Sequence, residues 1–380
     1  MSFLNKQSRD TKEMKIVFMN SIGPDVWRGG EKWMVNAASG LLSKGHEVVC
    51  IGRKDAIWLR NAEKRGLKTL GFSIHADFDP VIIFKLYRIF SKMKPDILCC
   101  NFEKDVRLGG IAARMAGVPV IFVRKGLSLI YDKLRYRLSY RYIVDRIITP
   151  ASFIKNQFKK FDWLSQDRIH VVHNGVEIEK AASFSKGKLK SSVGIDAGSF
   201  CILGAGALFS QKGFEYLIEA LSIAGADDKS IHLAIAGSGD QEPFRKLAEQ
   251  MGVGKRVHFL GHRDDLPELM YSADLFILSS IDEGLPNVVL EAMSAGTPVI
   301  AADAGGTSEI IDSGSDGFVV PVKDANALAG KISLLRNNKD LREEMAERAL
   351  RKIRNSFSID AMVNNVESVF TESLKQSGRA

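Results

Sequence analysis

Residues 275–296 constrain this chain most. Leu275, Phe276, Ile277 and Leu278 form an unbroken apolar run, the pattern of a short strand buried in a parallel sheet. A polar stretch ending in Gly284 follows, and then Pro286. Proline suits the first helical turn, where no backbone N–H is required, so Asn287 to Met293 is predicted to be helical. In an open α/β sheet, ligands bind where such a strand ends and its loop opens a helix. The N–H groups around Gly284, Leu285, Asn287 and Val288 carry partial positive charge there and suit a phosphate.

Two carboxylates flank that anion site, Glu283 in the loop and Glu291 in the helix. A carboxylate repels phosphate but accepts hydrogen bonds from a pair of hydroxyls, which a sugar or ribose offers. Together they suggest a nucleotide-sugar site. The plainer alternative is a solvated loop acid at Glu283 and a helix pair or cap at Glu291.

The 380 residues suggest two domains of ordinary size. Cys50, Cys99, Cys100 and Cys201 lie in or beside apolar runs without metal-ligand spacing, as buried thiols of a reducing compartment do. Residues 1–13 are polar, without the apolar core of a secretion signal, and read as a flexible tail. No apolar run reaches the roughly 18 residues a bilayer span needs.

In the first half, strands are predicted at Lys15–Asn20, Val48–Gly52, Ile97–Cys100, Val120–Val123, Arg146–Thr149 and Ile169–Val172. Gly29 and Gly30 are placed in a loop before an amphipathic helix running from Lys32 to Lys44. Glycines there let a ligand approach the backbone, although a plain strand–helix turn would read the same. The segment is not GxGxxG, which argues against a dinucleotide cofactor. Asp77-Phe78-Asp79 matches a metal-binding DxD pattern, but Pro80 and the loop-like surroundings argue against a metal. His170 and His173 are not placed as a zinc pair.

From Arg124 to Lys160, basic and aromatic residues interleave with few acids. Such a segment can lie on an anionic membrane surface, or it is a helix with a core stripe and a solvated basic face. The formal charge of +8 fits either, and no nucleic-acid-binding motif accompanies it.

In the second half, strand 201–205 ends at Gly206, and Lys212 precedes a helix from Phe214 to Ile223, well placed to meet a diphosphate. Strands at 233–236 and 257–261 follow, the first entering a Gly237–Gly239 turn. Residues 186–190 read as a linker, and Asp264 and Asp265 as N-caps of a helix reaching Met270. Beyond Ala325 the chain reads as helical and charged.

The 283–291 element resembles the Glu-x7-Glu signature of family 4 of the retaining glycosyltransferases. So do Ala295-Gly296-Thr297-Pro298-Val299-Ile300-Ala301, Gly305-Gly306-Thr307-Ser308-Glu309 and the Asn174-Gly175-Val176 text. The resemblance runs from about Lys15 to about Phe370. It implies the GT-B fold, an α/β architecture of two Rossmann-like domains with parallel sheets facing a central cleft. The expected division is a tail at 1–13, an acceptor-binding domain at 14–175, a nucleotide-sugar domain at 176–355, and a helix at 356–380 crossing back to the first domain.

The resemblance further implies a metal-independent, hexosyl-type transferase without a cofactor, using a nucleotide-diphosphate sugar, with UDP favoured. Lys212 and the Gly29–Gly30 loop would meet the diphosphate, Gly206, Gly237 and Gly239 would border the nucleotide, and His262 and Arg263 would lie at the base. Glu291 would hold the ribose and Glu283 the donor sugar, so that Glu283 and Lys212 are the expected catalytic pair. No residue reads as a covalent nucleophile, which fits front-face displacement.

Two departures from the family stand out. Its diphosphate-binding Arg is replaced by Ala207, leaving Arg28 or another cation to compensate, and its acceptor-side His is absent from Phe122-Val123-Arg124-Lys125-Gly126. Arg124 and Lys125 are the expected contacts to an acidic or phosphorylated acceptor. The expected role is cell-surface polysaccharide or lipopolysaccharide synthesis, with a glycan or lipid-linked acceptor, in the cytoplasm and peripherally at the inner membrane face. The alternatives are a sugar-nucleotide epimerase on the same fold and a peripheral binding protein that has lost the chemistry.

Overall fold

The structure is a computed structural model describing residues 13–127, 130–178 and 184–378; apart from Glu13, the tail expected at 1–13 lies outside the described residues. The chain forms two compact units. One comprises Met1–Thr149, Phe158–Val172 and Val363–Ala380, the other Pro150–Gln157 and His173–Met362.

The first unit is built on a seven-stranded parallel sheet: β1 (Lys15–Asn20), β2 (Glu47–Arg53), β3 (Lys68–Phe72), β4 (Ile97–Cys100), β5 (Val120–Arg124), β6 (Arg146–Thr149) and β7 (Ile169–Val171), in the order β3-β2-β1-β4-β5-β6-β7. β4 and β5 are buried at every position, as central strands covered on both faces must be. β3 was not expected. It is a half-exposed edge strand, Lys-Thr-Leu-Gly-Phe, without an apolar run to announce it, and pairing with β2 defines it.

The second unit holds six parallel strands: β8 (Phe200–Ala205), β9 (Ile231–Ala236), β10 (Val257–Gly261), β11 (Leu275–Leu278), β12 (Val299–Ala302) and β13 (Phe318–Val320), in the order β10-β9-β8-β11-β12-β13. Phe214, Leu217, Ile218 and Leu221 of the Phe214–Ala224 helix and Leu328 and Ile332 of the Ala325–Asn337 helix share one core with β8 and β9.

Several local expectations are corrected. The first helix spans Gly29–Ser43, so Gly29 and Gly30 form its first turn instead of a loop. Arg28 is its extended N-cap, and the Glu31 carboxylate accepts the Arg28 N–H at 3.0 Å. Pro286 is the N-cap, not the first helical residue, of the Asn287–Ser294 helix, because its ψ of 97° is extended. Residues Lys188–Val193 are helical, not linker, since Leu189 is buried and its N–H is accepted by Ser272 Oγ at 3.0 Å. Asp265 precedes the Leu266–Ser272 helix without capping it through its side chain; the carboxylate is taken by Arg263 at 2.7 and 2.6 Å. Asp79 caps the Pro80–Met93 helix, accepting the Val81 and Ile82 N–H groups, while Asp77 pairs with Arg107 at 2.5 Å.

The Ile359–Gln376 helix carries its Val363–Gln376 part into the first unit. Phe370 lies 4.7 Å from Phe122 and 6.4 Å from Phe18, centroid to centroid. Glu367 bonds His46 Nε2 at 2.9 Å and Lys44 Nζ at 2.5 Å. The His46 Nδ1 accepts the Met14 N–H, which leaves the Nε2 proton to donate to Glu367.

Candidate nucleotide-sugar site

Each sheet reverses its strand order once, at β1/β4 in the first unit and at β8/β11 in the second. The crevice beyond the carboxyl ends at such a point is where open α/β sheets hold ligands. In the second unit that position is built from the 206–213 and 279–287 loops. They are tied together: the Ile281 N–H donates to Gln211 O at 2.8 Å, Gln211 Nε2 to Asp282 O at 3.0 Å, and Ser279 Oγ to Lys212 O at 3.0 Å.

Lys212 Nζ donates to Glu283 Oε1 at 2.6 Å, with both side chains partly open to solvent. The two expected catalytic residues are therefore partners, which their separation in sequence does not reveal. Glu291 stands half-buried in the second turn of the adjacent Asn287–Ser294 helix. Asn287, at the head of that helix, accepts a 2.7 Å hydrogen bond from Asn174 Nδ2, a partner the sequence did not announce.

Close backbone approach explains the glycines around this crevice. A Cβ on Gly237 would sit 1.7 Å from Gly206 O, so the turns after β8 and β9 pack main chain to main chain. The Gly206 N–H donates to Ala236 O, the Leu208 N–H to Ser238 O, and the Gly237 N–H to Gly261 O. Gly305 has φ +60°, and a Cβ there would meet Glu283 O at 1.9 Å. Beyond β10, His262 is largely exposed beside Asp264, and Arg263 is engaged by Asp265.

Glu309 was noted in the sequence only as part of a family text. Its carboxylate accepts the Ser152 and Phe153 N–H groups at 2.8 and 2.7 Å and faces His173 Nε2 at 3.1 Å. Burial pushes this carboxyl up, but the bonds from His173 and the two amides outweigh it and hold the group below its ordinary value.

In the first unit, Asn20, Asn101, Glu31 and Asp105 converge at the β1/β4 crevice. Glu31 Oε1 accepts from Asn20 Nδ2 and Asn101 Nδ2, both at 3.2 Å. Asp105 accepts the Ser21, Asn101 and Phe102 N–H groups. It is fully buried, and that burial pushes its carboxyl up to about 6 against those bonds.

Arg124 is buried, with its guanidinium 4.8 Å from the centre of the Trp33 ring, and burial holds it down to about 10. Lys125 is also buried; its ammonium lies 2.5 Å from Glu103 Oε1, which accepts the Tyr140 hydroxyl at 2.7 Å as well. Of the basic residues between 124 and 160, Lys125 thus pairs with Glu103 and Arg137 with Asp132.

Two Rossmann-like units, with a Lys–Glu pair and a second Glu at the β8/β11 crevice, define the class as a GT-B glycosyltransferase. Two family profiles match, "Glycosyltransferase Family 4" over residues 27–180 and "Glycosyl transferases group 1" over residues 185–352. The chain belongs to family 4 of the glycosyltransferases. It is 29% identical over 307 residues to the UDP-Gal:alpha-D-GlcNAc-diphosphoundecaprenol alpha-1,3-galactosyltransferase of Escherichia coli, covering 76% of this chain and 79% of the relative. It is 26% identical to the N,N'-diacetylbacillosaminyl-diphospho-undecaprenol alpha-1,3-N-acetylgalactosaminyltransferase of Campylobacter jejuni, covering 88% and 93%. Among solved structures, HepE of Anabaena in complex with UDP superimposes with a TM-score of 0.83 at 20% identity, covering 94% of this chain and all of HepE.

Proposed function

We propose that this enzyme transfers a hexose-type sugar from UDP-sugar, with retention and without a metal, to a lipid-linked glycan in cell-surface polysaccharide or lipopolysaccharide synthesis. The observation that carries this is the Lys212–Glu283 pair at the β8/β11 crevice, with Glu291 on the helix beside it. The diphosphate would draw the Lys212 ammonium and receive the N–H groups of Gly284 to Val288. Glu283, relieved of its partner, would bind the donor sugar hydroxyls, and Glu291 the ribose.

As the glycosidic bond breaks, negative charge grows on the departing diphosphate. A cation and backbone dipoles already aimed there lower the barrier. Gly206, Gly237 and Gly239 would border the nucleotide, with His262 and Arg263 at the base. The Gly29–Ser43 helix, whose first turn contains Gly29 and Gly30, offers a second anion-binding terminus, with exposed Arg28 as its N-cap.

The acceptor falls to the first unit. Arg124 and Lys125 would shape that site from within its wall, since both are buried. The relatives named for diphosphoundecaprenol-linked sugars favour an acceptor that is itself lipid-anchored, which would bring the enzyme to the cytoplasmic face of a membrane.

Thermal shift against UDP, GDP, ADP, CMP and dTDP tests the reading. Ligand at about 100 times its Kd adds about 2.7 kcal/mol. UDP alone should raise Tm by several degrees, and Glu291→Ala should abolish the rise. No shift with any nucleotide would refute the site.

A further inference from the structure

We propose that one helical layer of the first unit is a docking surface for an anionic lipid bilayer, centred on the Leu134–Tyr142 helix. The choice of a bilayer as occupant rests on the reading of a lipid-linked acceptor. The strand order places this layer. Right-handed crossovers put the helices that follow β3, β4 and β5 on the same face of the sheet, opposite the Gly29–Ser43 helix.

Of the fifteen large apolar side chains exposed among the described residues, nine lie between Phe78 and Tyr142. Leu134 is 70% exposed, Leu138 46% and Tyr142 63%. At intervals of four they form one row along the helix. Tyr136, Ser139 and Tyr140 occupy the opposite side and are buried. With about 100° between successive residues, exposed Arg141 and Arg135 lie on either flank of the apolar row. Phe78, Val81 and Phe84, at the start of the Pro80–Met93 helix in the same layer, are each more than half exposed.

The charge balance agrees. Residues 77–142 contain thirteen Lys and Arg against six Asp and Glu, so this stretch carries +7 of the chain's +8; with Arg124, Lys125 and Asp105 buried, eleven cations and five acids remain at least partly exposed. All six acids are engaged. Asp79 caps a helix, Asp96 accepts the Lys15 N–H, Asp105 accepts three amides, and Asp77, Glu103 and Asp132 pair with cations. The layer therefore offers an apolar row rimmed by cations. An interfacial helix sinks such a row among acyl chains while its Lys and Arg meet anionic headgroups.

The test is flotation of the full-length chain with phosphatidylcholine vesicles, with and without phosphatidylglycerol. Salt is varied up to about 1 M, where the Debye length falls to about 3 Å. The wild type should float with anionic vesicles, more weakly at high salt. Leu134→Asp with Leu138→Asp, and Arg135→Glu with Arg141→Glu, should each lower partitioning roughly tenfold or more. Leu334→Asp, a comparably exposed apolar position in the second unit, should not.

UDP-induced stabilisation in vesicle-free buffer, retained by every variant, shows that each is folded. It also reads the donor site separately from the membrane surface. Vesicle binding that is absent, or indifferent to these substitutions, overturns the proposal. So does a concentration-dependent dimer in size exclusion that Leu134→Asp with Leu138→Asp dissolves, which would assign the face to a second copy of this chain.

Discussion

Lys212 and Glu283 hold each other at 2.6 Å in a site that would need both for other partners. A diphosphate competes with Glu283 for the ammonium, and the pair, being partly solvated, is worth on the order of 1 kcal/mol or less. Glu283→Gln should therefore tighten UDP binding roughly threefold to tenfold. Turnover should fall about a hundredfold because the contact to the donor sugar is lost. Calorimetric titration with UDP checks the first effect and steady-state kinetics the second. Weaker UDP binding would show that the carboxylate orders Lys212 and does not compete with the nucleotide. Each residue could be singled out in the sequence from its place shortly before a helix start. Their pairing could not, because it depends on β11 lying beside β8, with two strands intervening in the chain.

At the scale of the element, Glu309 anchors the Ser152–Gln157 helix by its first two amides and also holds His173. Removing the carboxylate in Glu309→Ala leaves those donors without this acceptor, a loss of about 1–3 kcal/mol. Hydrogen exchange at peptides covering 150–157 should accelerate accordingly, while β8 to β13 stay protected. The folded carboxyl titrates below its ordinary 4.5. Its contribution is thus present above pH 4.5 and lost as pH falls through the lower folded value. The difference between wild type and Glu309→Ala should shrink on acidification below about pH 4.5; a difference that grew instead would contradict the assignment.

At this scale the sequence was legible where a strand is an apolar run, and silent at β3, which is not. Ile97–Cys100 and Leu275–Leu278 read directly as apolar runs, whereas edge strand β3 did not. The helix start at Gly29, the first-turn place expected of Pro286 and the capping role expected of Asp265 were misjudged. Backbone dihedrals and a competing Arg263 decided them.

At the scale of the whole molecule, the last helix returns residues from Val363 onward to the unit in which the chain began. Phe370 is fully buried there between β1 and β5 side chains. Phe370→Ala should cost about 3–5 kcal/mol, lowering the melting transition of the first unit by about 2–4 °C per kcal/mol. Calorimetry in the presence of UDP, which should stabilise the second unit more than the first, would separate the two transitions. An unchanged first transition would mean that this helix adds nothing to the unit.

The amino-acid sequence by itself determined most of the strands, the two-part organisation it implied and the residue types at the nucleotide-sugar crevice. These follow from local pattern: apolar runs for buried strands, and glycine, proline and acids where loops open helices. Tertiary structure alone decided which strands are neighbours, that Lys212 meets Glu283, that Arg124 lies buried against Trp33, and that Leu134, Leu138 and Tyr142 stay exposed while Tyr136 and Tyr140 are buried. Those outcomes join residues tens of positions apart, and the sheet order that brings them together is set by packing the whole core, not by any one segment.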